Sequence, residues 1–227
     1  MNRFLICTIL VAASAAAFAS PQAIDTRRDI DKVNGGITAE AGRAYGDLGT
    51  VNGGIQLDRG ASADEVETVN GGITAGDEVS ASEVSTVNGG IRFGRDGRIS
   101  GNLETVNGGV FADRGTRVGG DVSTVNGAIG LVGTTVDGRI ETVNGDVTVG
   151  ADSRVALGIR IEKPKGNFGL NFGKHKTPRV VIGPNAVVEG PMVFEREVKL
   201  YVHASARIGS VSGATPVRYD GATPPKD

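Results

Sequence analysis

Between residues 33 and 149 the apolar residues recur in blocks, with a polar stretch of variable composition after each block. The block is Val-Asn-Gly-Gly-Ile. It begins at Val33 and returns, intact or nearly so, at Val51, Val69, Val87, Val106, Val125 and Val143, in steps of 18, 18, 18, 19, 19 and 18 residues. A fixed short period of this kind is the mark of a solenoid. Two residues beyond each Ile sits a second apolar residue: Ala39, Leu57, Ala75, Phe93, Ala112, Leu131 and Val149. The alternation Ile-x-apolar has period 2 and predicts a short strand with one buried face. Near the sixteenth position come Leu48, Val66, Val84, Leu103, Val122 and Ile140, followed two residues later by Thr50, Thr68, Thr86, Thr105, Thr124 and Thr142. Asn-Gly-Gly is turn chemistry, because Asn and Gly tolerate positive φ. Within the motif, Val and Ile are expected to face inward and the glycines to make the corner.

An Asn-Gly pair ahead of an apolar residue can also signal a β-hairpin. A meander would need turn chemistry at both strand ends, and here only one end carries the motif. Stacking equal units in register gives a parallel β-helix instead, with coils about 4.8 Å apart. Asn34, Asn52, Asn70, Asn88, Asn107, Asn126 and Asn144 then fall into one column and can pass amide hydrogen bonds from coil to coil. The threonines form a second column. A flat Thr/Asn surface that orders water is a functional alternative; a Val between the two polar positions argues against it.

After Val147 the pattern changes. Val155, Leu157, Ile159 and Ile161 alternate and predict one longer strand. Lys163-Pro164-Lys165 ends it, since proline cannot serve a central ladder. The segment 163–179 holds Lys163, Lys165, Lys174, His175, Lys176 and Arg179, together with Asn167-Phe168-Gly169 and Asn171-Phe172-Gly173. It reads as an insertion: either a loop whose Phe168 and Phe172 lie back on the solenoid, or a binding loop. From Arg179 to Val211 apolar residues step by six (Ile182, Val188, Phe194, Leu200, Ala206; and Ala186, Met192, Val198, Ala204). Three such steps equal the earlier period of 18. That agreement predicts a coil with three short faces. The expected fold is all-β: a parallel β-helix (β-solenoid) of about nine coils, roughly 40 Å long, with right-handed winding preferred.

Composition narrows the class. The chain has 227 residues, 36 of them glycine, with 4% aromatics and no tryptophan. That is thin material for a globular core and suits a fold in which each repeat touches only its neighbours. Residues 1–19 read as a secretory signal peptide: Arg3, an apolar run, then Ala17-Phe18-Ala19 ahead of Ser20. Cys7, the only cysteine, lies inside it, so the mature chain is expected to have no disulfide and no thiolate. The rest divides into a lead-in or cap at 20–32, solenoid repeats at 33–149, a strand and basic Phe/Gly loop at 150–178, final coils at 179–212 and a Pro-containing tail at 213–227. The expected location is periplasmic or extracellular.

Residues 24–149 carry 19 acidic against 11 basic side chains, and residues 150–227 carry 7 against 12. An acidic body argues against nucleic acid as a partner. It leaves an acidic glycan or membrane surface as the partner of a basic loop, and a second copy of the chain as the partner of exposed coil ends. No G-x-S-x-G, H-E-x-x-H or P-loop occurs. The two histidines, His175 and His203, are far apart in sequence, and no calcium-binding nonapeptide is present. No cofactor, metal or catalytic constellation is expected, which leaves a polysaccharide-acting enzyme the weakest of the functional classes.

The stretch Val181-Ile182-Gly183-Pro184-Asn185-Ala186-Val187-Val188-Glu189-Gly190 resembles the bactofilin-type polymer-forming β-helices, over about residues 179–211. The repeated Thr-Val-Asn-Gly-Gly-Ile resembles the adhesin-like β-solenoid domains of unknown function found in exported bacterial proteins, over residues 33–149. The first resemblance implies a rigid, self-associating rod. The chain departs from it in its signal peptide and basic insertion, because bactofilins assemble end to end in the cytoplasm. The reading that follows is a non-enzymatic structural or scaffolding protein of the bacterial cell envelope. The alternative is an adhesin or binding module using Lys163, Lys165, Phe168, Phe172, Lys174, His175, Lys176 and Arg179.

Overall fold

The structure is a computed structural model that describes residues 27–164, 177–221 and 223–225. Every strand pair in it is parallel, and no described residue is helical. The strands stack as a β-solenoid of ten coils, one more than the spacing predicts. At about 4.8 Å per coil the stack is roughly 45 Å long. The tenth coil arises because Val217–Tyr219, within the stretch read as a tail, pairs in register with Tyr201–His203, and Tyr219 is buried. At the other end Arg28–Asn34 is already a strand paired with Tyr45–Asn52.

One coil shows the plan. Arg98–Ile99 lies on the first face, Leu103–Asn107 on the second and Val110–Ala112 on the third. The third face is a continuous ten-stranded sheet. The first and second faces join into one sheet through the N-terminal coils, where Tyr45–Asn52, Ser62–Asn70 and Ser80–Asn88 run unbroken across both. The strands split where a residue is added. Arg98 lies 18 residues after its partner Ser80, but Leu103 lies 19 after Val84. The extra residue falls at the Ser100–Asn102 corner.

The core is a set of columns. Ile37, Ile55, Ile73, Ile91, Val110, Ile129 and Val147 stack on the third face, and Leu48, Val66, Val84, Leu103, Val122 and Ile140 on the second; all are buried. Each such side chain contributes about 1.5–3 kcal/mol on leaving water. Phe93 is the largest side chain that is fully enclosed.

Three expectations are corrected. First, the motif valines do not face the core. Val33, Val51 and Val106 are 68%, 41% and 36% exposed, while Thr50, Thr68, Thr86, Thr105, Thr124 and Thr142 are buried. Strand side chains alternate, so an inward Leu at position 48 forces Thr50 inward and Val51 outward. Second, the motif glycines are not there for positive φ; among them only Gly35 has it. Left-handed residues occur instead in the turn between third and first faces, at Gly42, Gly60, Glu78, Asp96, Gly115, Gly133, Asp152 and Asn185. Third, residues 155–161 are not one strand. Arg154–Val155 and Ile159–Ile161 lie on different faces, Gly158 turns the chain with φ 95°, and Leu157 points into solvent.

Candidate functional site

The Asn-Gly-Gly corner joins the second face to the third and carries two ladders. On the outer surface each asparagine donates its side-chain N–H to the amide oxygen of the asparagine one coil earlier, at 2.9–3.1 Å, from Asn52 onto Asn34 through to Asn144 onto Asn126. On the inner surface Thr50, Thr68, Thr86, Thr105 and Thr124 donate their hydroxyls to the carbonyls of Gly35, Gly53, Gly71, Gly89 and Gly108, at 2.8–3.1 Å. A buried hydroxyl needs such a partner, and the carbonyl of a corner is an orphan acceptor of the sheet. Thr142, the last of the column, has none.

The Asn ladder has a direction. Its final acceptor is Asn144 Oδ1, because the register places Lys163, not an asparagine, at the next position of the column. Arg196, two coils on, fills the gap. Its Nη1 donates to Asn144 Oδ1 at 2.7 Å and to the Val143 carbonyl at 3.1 Å. In the same motif Asp146 replaces the second glycine, and its carboxylate accepts the Arg179 N–H at 2.9 Å where the chain returns from the insertion. Asp146 therefore anchors the strand that follows the insertion, and Asn144 anchors Arg196.

Around this anchor lie the described members of the proposed binding loop. Lys163 is exposed, and its N–H donates to Glu195 Oε2 at 3.4 Å. Glu195 also takes Arg160 Nη2 at 2.5 Å, and Arg160 Nε lies 3.6 Å from the carboxylate of Glu162, a nearly buried acid. Arg179 is a strand residue, not a loop residue. Its guanidinium lies 4.8 Å over the Tyr201 ring and donates to the Pro225 carbonyl. These contacts make Arg179 part of the wall. Lys165, Phe168, Phe172, Lys174, His175 and Lys176 lie outside the described residues. Sequence reasoning missed Arg196, which no local motif marks. Only the absence of a next asparagine in the column hinted that an acceptor was left over.

The outer side of the second face has its own pattern. One in-register column reads Glu67, Ser85, Glu104, Ser123, Glu141, Arg160, so a serine separates each pair of glutamates and an arginine closes the row. Like charges directly opposite each other would destabilise the sheet, and the serines prevent that contact. The acids still feel one another diagonally. Burial, then the nearby Glu83, Asp121 and Glu141, raise the Glu104 carboxyl above its usual range. Burial likewise raises Glu141, against the pull of Arg139. A carboxyl that binds its proton more tightly folded than unfolded subtracts stability above its folded pKa. It subtracts nothing below its unfolded value. Glu104→Gln is therefore expected to raise the melting temperature at pH 7, with the gain shrinking as pH falls toward the ordinary glutamate pKa of about 4.3. A gain equal at pH 7 and pH 4 in thermal unfolding would contradict this account.

Among the described residues no group of three or more His, Asp or Glu side chains is placed to hold a metal ion. Comparison of the chain with family models, with curated proteins and with solved structures finds no match.

Proposed function

We propose that the chain is an exported, non-enzymatic structural element of the bacterial cell envelope: a stiff rod of fixed length that holds other components at a set distance. The observation that carries this reading is the Asn ladder. It runs without a break from Asn34 to Asn144 and is closed at its far end by Arg196. Seven coils are tied in one register through a column that does no other chemistry, and a register tied at each step resists bending and slippage. Export rests on the leader at residues 1–19 and its cleavage after Ala19.

A second reading, end-to-end assembly through the coil ends, is countered by the charge on the first strand. Arg28, Asp29, Asp31 and Lys32 occupy it, and Lys32 Nζ folds over the end to the Gly36 carbonyl at 2.6 Å. Charges on an edge strand oppose pairing with another chain. Sedimentation of the mature chain over a wide concentration range tests the two readings. One elongated species of constant mass is expected; growth with concentration would replace the fixed rod with a polymer.

A further inference from the structure

The geometry points to an anion-binding groove on the first face, built around the Arg98 guanidinium and suited to a carboxylate or phosphate carried on a hydroxyl-rich ligand such as an acidic saccharide. This goes beyond the structural role and rests on different residues.

The groove encloses about 440 Å³ where the first face meets the second. Its rim is an in-register outward column: Ser62, Ser80, Arg98, Arg117. Ser82 and Ser100 line the other side, and the small inward residues Ala63 and Ala81 lie beneath.

Two features of Arg98 meet here. The first is like charge: Arg98 and Arg117 sit directly opposite each other, one coil apart, as Glu65 and Glu83 do elsewhere in the same sheet. The second is a missing partner. Further along the same column two arginines that have a following coil are neutralised in one way: the partner is the acid that follows the inward valine of the next coil. Arg117 pairs with Asp137, after Val136, at 2.9 Å. Arg154 pairs with Glu189, after Val188, at 2.8 Å. By that rule Arg98 should pair with the residue after Val118, which is Gly119. A side chain there would collide with the Ser100 carbonyl. Gly119 thus removes the expected carboxylate and opens the groove, and Arg98 forms no ion pair among the described residues. The carboxylate in the groove's lining, Asp64, is held by Arg27 at 2.6 Å, so the acid that would complete the pattern at Arg98 is the ligand's.

A guanidinium offers a planar fork that matches carboxylate and phosphate oxygens. The four serine hydroxyls beside it can donate or accept, as sugar hydroxyls require. Among the described residues no aromatic side chain lines the groove, so they supply none of the stacking platform on which single-stranded nucleic acid depends.

Calorimetric titration at low salt tests the site, with a galacturonic acid hexamer, inorganic phosphate and a single-stranded DNA decamer as probes. The variants are Arg98→Gln and, as a charge-matched control, Arg43→Gln, whose parent residue pairs with Glu40 in a separate turn. Unchanged melting temperatures establish that both variants fold. The hexamer or phosphate is expected to bind the parent protein, with affinity lost at least about tenfold in Arg98→Gln and kept in Arg43→Gln. Retention of only one probe identifies the group, carboxylate or phosphate, that the site takes. Equal losses in the two variants, no loss in Arg98→Gln, binding of none of the probes, or DNA binding tighter than both anions would each overturn the proposal.

Discussion

Gly89→Ala is expected to destabilise the protein by roughly 3–5 kcal/mol, while Gly90→Ala, one residue on, costs about 1 kcal/mol or less. The two glycines differ in what lies beneath them. A Cβ on Gly89 would overlap the carbonyl of Gly71 in the coil below, and the obstacle is backbone on a rigid stack. A Cβ on Gly90 would come to 3.2 Å from the Gly109 carbonyl, a tight contact that a small shift relieves. The chain's own repeats show the same asymmetry. The first glycine is present in all seven copies, from Gly35 to Gly145, whereas the second becomes Ala128 and Asp146. Urea unfolding followed by circular dichroism reads the difference. Equal midpoints for the two variants would mean that close approach is not the reason for the first glycine.

Arg196→Ala is expected to cost about 1.5–3 kcal/mol, the range for a charged hydrogen bond lost at a partly buried site. Two acceptors lose their donor at once: the Asn144 amide oxygen and the Val143 carbonyl. Arg196→Lys keeps the charge but loses the fork, so it should fall between the parent and the alanine variant. The effect should be local. Amide exchange is expected to quicken first around Thr142–Asp146 and at the base of the insertion, with the N-terminal coils unchanged. Uniform quickening over all ten coils would show that Arg196 acts on the whole fold instead of closing the ladder.

Much of the architecture was legible because a solenoid writes its geometry as a period. The spacing of the Asn-Gly-Gly copies located the corner, and the sixfold steps from Ile182 to Ala206 located the three faces, although the two segments share no motif. The inward Ile-x-apolar pairs were read correctly since they alternate with nothing ambiguous between them. The valine of the motif was misread for the opposite reason. In Leu-x-Thr-Val-Asn two neighbouring residues compete for the interior, and hydrophobicity favours Val. Strand phase decides for Thr, and in five of the six copies its hydroxyl is satisfied inside by a carbonyl 15 or 16 residues back. The candidate site was less legible. The basic residues of 163–179 stood out by composition, yet Arg179 belongs to the wall. Arg98 and Arg196 carry no local signal at all.

The sequence by itself determined the coil length, the parallel stacking, the Asn column and the inward Ile, Leu and Val columns, because each is a consequence of period and alternation. Only the tertiary structure decided which charges meet. Whether an arginine finds an acid depends on the residue one coil away, about 20 positions on and displaced by each added residue at a corner. That is why Arg117 is neutralised by Asp137, Arg196 caps a ladder that ends 52 residues earlier, and Arg98, with Gly119 at the partner position, has no ion pair among the described residues.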